Sequence, residues 1–123
     1  MLNTFQELLI SAYYYILIAD GMVDRKELSF GNLMIEKEKI NKADFEDKLD
    51  ELSDRDVDQI REEIKQSLKN QPHEKQLKIV AYMVKIADAD GVKDPHEMTS
   101  IQRIMQGLNL HVNDIIKAKR DLF

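Results

Sequence analysis

Apolar positions recur at helical spacing along almost the whole chain, and no stretch alternates with the period of a strand. A first helix would bury Phe5, Leu8, Leu9, Ala12, Tyr15, Ile16 and Ala19 on one stripe. Thr4-Phe5-Gln6-Glu7 reads as the capping box that starts it. Gly21 reads as its stop, because glycine enters the left-handed conformation after a last helical turn without strain. Asp24 and Glu27 open a second helix with Leu28, Met34 and Ile35 inward. Asn41 to Asp44 starts a third, with Phe45 and Leu49 inward. Ser53 to Asp56 starts a fourth, with Val57, Ile60, Ile64 and Leu68 inward. Pro72 suits the first position of a fifth, which runs through Leu77, Val80, Ala81, Val84 and Ala87. The sixth, from Pro95, carries Met98, Ile101, Ile104, Met105 and Leu108, and Gly107 ends it. A short seventh carries Val112, Ile115 and Ile116. The pattern predicts an all-α fold, a single-domain helical bundle of about seven helices over residues 1–123. The first and fifth helices are the most apolar, so both are expected at the centre, packed together.

Composition narrows the function classes. A chain of 123 residues is one domain by length and can bury a core without a staple. It has no cysteine, which removes disulfides, thiolate catalysis and cysteine-ligated zinc. The first basic residue is Arg25, so there is no positive n-region of a signal peptide, and the apolar run from Leu8 to Ala19 is too short to span a bilayer. A cytoplasmic location and no membrane insertion are therefore expected. Residues 1–60 carry 7 Lys and Arg against 14 Asp and Glu, whereas residues 61–123 carry 11 against 9. The overall charge of −5 has the wrong sign for nucleic acid, whose phosphates require neutralisation. The acids from Asp44 to Asp58 are the densest and read as a solvated face. Tyr13, Tyr14 and Tyr15 are consecutive and cannot share one helix face, so at least one should lie near the surface. The six methionines fall mostly on apolar stripes and read as core filling.

One cassette is written twice. Ala19-Asp20-Gly21-Met22-Val23-Asp24-Arg25-Lys26-Glu27 is followed 70 residues later by Ala89-Asp90-Gly91-Val92-Lys93-Asp94-Pro95-His96-Glu97. Ala, Asp, Gly, Asp and Glu recur at the same offsets, which suggests an internal duplication of helices one–two and five–six around an insert of helices three and four. Helix capping accounts for much of it. Asp24 and Asp94 accept backbone N–H groups at a helix start, and Glu27 and Glu97 reach back to the cap. Capping does not account for Asp20 and Asp90, which follow helix C-termini, where the dipole disfavours negative charge. With Asp88 close by, these turns accumulate oxygen ligands of the kind hard divalent cations use, Ca²⁺ or Mg²⁺ before Zn²⁺. The candidate metal ligands are Asp20, Asp24, Glu27, Asp88, Asp90, Asp94 and Glu97.

Other chemistry is not legible. Counted from Asp88 as an EF-hand, glycine falls at position 4, Val92 at position 5 and Thr99 at position 12, so the spacing fails. His73, His96 and His111 sit at helix starts and read as solvated residues. There is no catalytic triad, phosphate loop or His-Glu-x-x-His, and no enzyme activity is expected.

The Ala-Asp-Gly turn after an apolar helix, with a glutamate six residues beyond the glycine, resembles the TerB tellurite-resistance family over essentially the whole chain. Ala19 to Val23 with Glu27 matches that motif fully. Ala89 to Val92 with Glu97 matches its second copy, with Lys93 where the family usually has an apolar residue. The resemblance implies an internally duplicated all-helical fold with exposed acids, a cytoplasmic stress-associated role, divalent-metal binding and no enzymatic activity. Similar domains occur at the N-terminus of a membrane-anchored DnaJ-type co-chaperone, but this chain has no His-Pro-Asp tripeptide. Two functions therefore stand side by side. One is a metal-binding accessory protein. The other is a co-chaperone-type interaction module for an unknown protein partner, with the acids serving mainly as caps.

Overall fold

Helices form where the periodicity places them. The computed structural model describes residues 2–18, 25–87 and 95–122, and within these it leaves out the side chains of 25–28, 95–98 and 100. Among the described residues the elements are α1 (Thr4–Ile18), α2 (Arg25–Glu38), α3 (Lys42–Ser53), α4 (Val57–Lys69), α5 (His73–Ala87), α6 (Pro95–Met105) and α7 (Val112–Leu122), with no strand. Among the described residues no helix is long and apolar enough to cross a membrane.

The helix ends follow local chemistry, with one correction at the start. The α1 capping box is Asn3 with Gln6, not Thr4 with Glu7. The Gln6 N–H donates to Asn3 Oδ1 at 2.7 Å, and the Asn3 N–H donates to Gln6 Oε1 at 3.1 Å. Asparagine is at least as good a cap as threonine, so the box closes one residue earlier and Thr4 is already helical. Asn41 caps α3 as expected, accepting from the Asp44 N–H at 3.1 Å. Pro72 lies just ahead of α5, its carbonyl accepting the Gln76 N–H, whereas Pro95 is the first residue of α6. Gly107 ends α6 at φ +84°, the left-handed conformation expected of it. At the end of α2 the same role falls to Lys39, at φ 55°.

The centre of the bundle is α1 and α5, which pack on each other. Helix α1 also meets α2, α3, α4 and α6, and α5 also meets α2, α6 and α7. A helix enclosed on several sides has no single apolar stripe. That is why Ile10, Tyr13 and Leu17 are buried beyond the predicted face of α1, and Ile79, Tyr82, Met83 and Ile86 beyond that of α5. Of the three tyrosines, Tyr13 and Tyr15 are buried and Tyr14 is half-buried. Phe30, Met34, Leu52, Ile60, Ile64, Leu68, Ile101 and Ile104 complete the core from the surrounding helices. Each such side chain contributes about 1.5–3 kcal/mol on burial. Gly31 lets α2 approach α1 closely, since a Cβ there would stand 2.7 Å from the Tyr13 hydroxyl oxygen.

Three expected core residues are exposed instead: Val57 by 44%, Val112 by 68% and Ile116 by 57%. Val57 is the first residue of α4, before that helix meets the core. Helix α7 packs chiefly on α5, so one narrow line, Ile115 and Leu122, satisfies it. Ile116 and Val112 lie to the side of that line.

Candidate functional site

Side-chain contacts fix the directions of the central helices. Near the start of α1, the Phe5 ring lies beneath Lys75 Nζ at 4.6 Å and Lys78 Nζ at 5.3 Å, both near the start of α5. Helix α2 gives the same answer independently. Its last residue, Glu38, accepts from Gln6 Nε2 of α1 through its backbone carbonyl at 3.1 Å. Its carboxylate accepts from Lys78 Nζ at 2.9 Å and from the Tyr82 hydroxyl. Farther up α2, Gly31 lies against Tyr13 of α1, and Phe30 meets Tyr82 edge-on at 6.2 Å. Thus α2 runs antiparallel to α1 and α5, and α1 and α5 run parallel to each other. Both are 15 residues long, about 22 Å at the helical rise. They start together, so Ile18 and Ala87 lie at the same end of the bundle.

Ile18 and Ala87 are the described residues that precede the two acidic cassettes in sequence. Two helix C-termini at one end present two negative dipole ends, each about half an elementary charge. The last turn of α1 holds no basic side chain to offset its share. Helices α2 and α6 follow the cassettes in sequence, and their N-termini carry the opposite dipole sign, which Asp24 and Asp94 are suited to complement.

Of the candidate ligands, Asp20, Asp24, Asp88, Asp90 and Asp94 lie outside the described residues. Glu27 and Glu97 each occupy the third position of their helix, α2 and α6, and their side chains are outside the description as well. Among the described residues no group of three or more histidine, aspartate or glutamate side chains is gathered as for a metal ion. His73 and His111 are exposed at helix starts, as expected of solvated residues.

Sequence reasoning missed the polar cluster at the other end of the pair. Glu38 is only 11% exposed at its side chain, and Lys78 and Tyr82 meet it from successive turns of α5. Burial, then the hydrogen bond to Glu38 and its negative charge, push the Tyr82 phenol well above its ordinary value. The usable signal was Lys78 and Tyr82 at i, i+4, with a tyrosine hydroxyl that needs a partner once buried. A second missed contact ties α4 to α1. Arg61 hydrogen-bonds Tyr15, which raises the guanidinium pKa against the opposing effect of burial; Tyr15, Asp58 and Glu62 add smaller favourable charge interactions.

Also missed was an open cleft of about 490 Å³ between α1, α3 and α4, with a floor of Leu8 and Ile64. A smaller cleft of about 210 Å³ shares Glu7 and Lys48 with it.

Comparison with known proteins gives one family. The family model described as tellurite resistance protein TerB matches residues 6–120. No curated protein and no solved structure matches the chain.

Proposed function

The chain belongs to the TerB family, and from that premise we propose that it is a non-enzymatic, stress-associated accessory protein that binds a divalent cation through its two acidic turns. The observation that carries this reading is the parallel run of α1 and α5. It brings to one end of the bundle the two helix ends from which Asp20 and Asp90 follow in sequence. Carboxylates gathered where α1 and α5 end would repel one another unless a cation offset them. Oxygen donors without cysteine favour a hard cation, Ca²⁺ or Mg²⁺. In this reading the two cassettes are copies of one unit. Asp20, Asp88 and Asp90 supply ligands, and Asp24 and Asp94 divide their role between capping and charge.

Thermal unfolding with and without Ca²⁺ or Mg²⁺ tests it. The wild-type melting temperature is expected to rise with cation, and Asp20→Asn with Asp90→Asn is expected to abolish the rise while leaving the apo protein folded. No rise for the wild type, or an equal rise in the double variant, contradicts the assignment. An interaction module for a basic partner is the second reading, and the cleft between α1, α3 and α4 favours it on separate grounds.

A further inference from the structure

Helix α1 is buried over much of its length from Leu8 to Leu17, yet one line along its first half is polar: Thr4, Glu7 and Ser11. These residues fall at helical spacing on one face. Helices α3 and α4 both pack on α1 but scarcely on each other, so they straddle this line and leave it uncovered. The result is the cleft of about 490 Å³, which runs along about two turns of α1, roughly 10 Å. Its floor is apolar, from Leu8 and Ile64, and the α4 wall repeats Gln59, Glu62 or Glu63, and Gln66.

The charge along this cleft is one-sided. Glu7, Glu62 and Glu63 line it, and Asp44, Asp47 and Glu51 line the adjoining cleft that shares Glu7. Lys48 is the one basic side chain that lines either cleft among the described residues, and it lies 3.6 Å from Glu51. Arg55 is taken up by Glu51 and Glu63 together. Among the described residues Glu62 pairs with Arg61 at 3.8 Å, which is directed to Asp58 at 3.2 Å and to Tyr15. Glu7 and Asp47 form no ion pair among the described residues. An apolar floor between acidic walls complements a lysine or arginine side chain, whose aliphatic stem lies on apolar surface while its head reaches a carboxylate.

We infer that this cleft is a docking groove for a lysine- or arginine-rich segment of a protein partner. It is built on the first half of α1, away from Ile18, so it does not depend on the cation site. Charge complementarity sets both the sign of the partner and the salt dependence of binding.

The test uses the whole chain and a fluorescein-labelled octapeptide of alternating lysine and alanine, followed by anisotropy in chelator. The wild type is expected to bind it and to ignore the glutamate–alanine counterpart. Glu7→Gln with Glu62→Gln should weaken binding about tenfold. Ser11→Leu, which narrows the groove without altering charge, should weaken it too. A control with the same charge change elsewhere, Glu36→Gln with Asp121→Asn, should change binding less than about twofold. Circular dichroism checks that each variant is folded, and Glu62→Gln alone replaces any variant that is not. No wild-type binding, or equal weakening by the control, overturns the proposal. So does spermidine binding as tightly as the peptide, which would make a small polyamine the occupant. Chelator removes divalent cations from every arm, so failure here is distinct from failure of the cation reading.

Discussion

The starting end of the α1–α5 pair holds its acid matched by donors, and the sequence that follows the finishing end adds five more aspartates. At the starting end, Glu38 turns inward and receives Lys78, Tyr82 and, through its carbonyl, Gln6. Lys75 and Lys78 sit over the Phe5 ring. A carboxylate there is matched by donors built into the fold, and the contact locks α2 to both central helices. At the finishing end, Ile18 and Ala87 lead into segments whose sequence holds five aspartates, Asp20, Asp24, Asp88, Asp90 and Asp94. Acid at the first end serves the architecture. The aspartates that follow the second end in sequence outnumber the two suited to capping, Asp24 and Asp94, and the proposed ligand rests on that surplus in the sequence.

The comparison can be broken first at what both ends share. Ile16 is fully buried near the finishing end of α1. Ile16→Ala is expected to lower stability by about 2–5 kcal/mol, measured by urea unfolding, because it leaves a cavity in the central pair. A loss below about 1 kcal/mol would show that α1 is not the centre.

The next effect sharpens the starting end. Tyr82→Phe keeps the packing but removes a donor to a carboxylate, an expected loss of about 1.5–3 kcal/mol. It also carries a pH signature. Folding raises the Tyr82 phenol pKa, so the neutral form is the one the fold favours. Its stabilisation is complete below the unfolded value, about 10, and is lost as pH rises beyond it toward the folded value. Wild-type stability should therefore fall above about pH 10 more steeply than that of Tyr82→Phe. Parallel profiles would remove Tyr82 from the account.

A smaller effect concerns how α1 begins. Asn3→Ala removes the reciprocal bonds with Gln6 and is expected to cost about 1 kcal/mol in thermal or urea unfolding. Thr4→Ala, which leaves that box intact, should cost less.

Much of the fold was legible in the sequence because helical periodicity and caps are local. Asn41 capping α3, Gly107 ending α6, and the buried line Ile60, Ile64, Leu68 of α4 all follow from neighbouring residues. What was not legible depends on partners distant in sequence. Tyr13, Tyr82 and Ile10 are buried because other helices enclose them, and no stripe records that. Val112 and Ile116 fit a helical stripe, but α7 has chiefly α5 to cover it. The acids of the candidate site were legible as a repeated cassette. That α1 and α5, the helices preceding those acids in sequence, end together emerged from Phe5 beneath Lys75 and from Gln6 and Lys78 meeting at Glu38. The groove was illegible because it arises from α3 and α4 standing apart on α1.

The central claim is that surplus acid at the finishing end binds a cation. Isothermal titration calorimetry of the chain with Ca²⁺ and with Mg²⁺ tests it most directly, beside the same titration of Asp20→Asn with Asp90→Asn. Saturable binding to the wild type, lost in the double variant with its helical spectrum unchanged, is the expected result. The absence of saturable binding to the wild type, or identical isotherms for the two proteins, would contradict it.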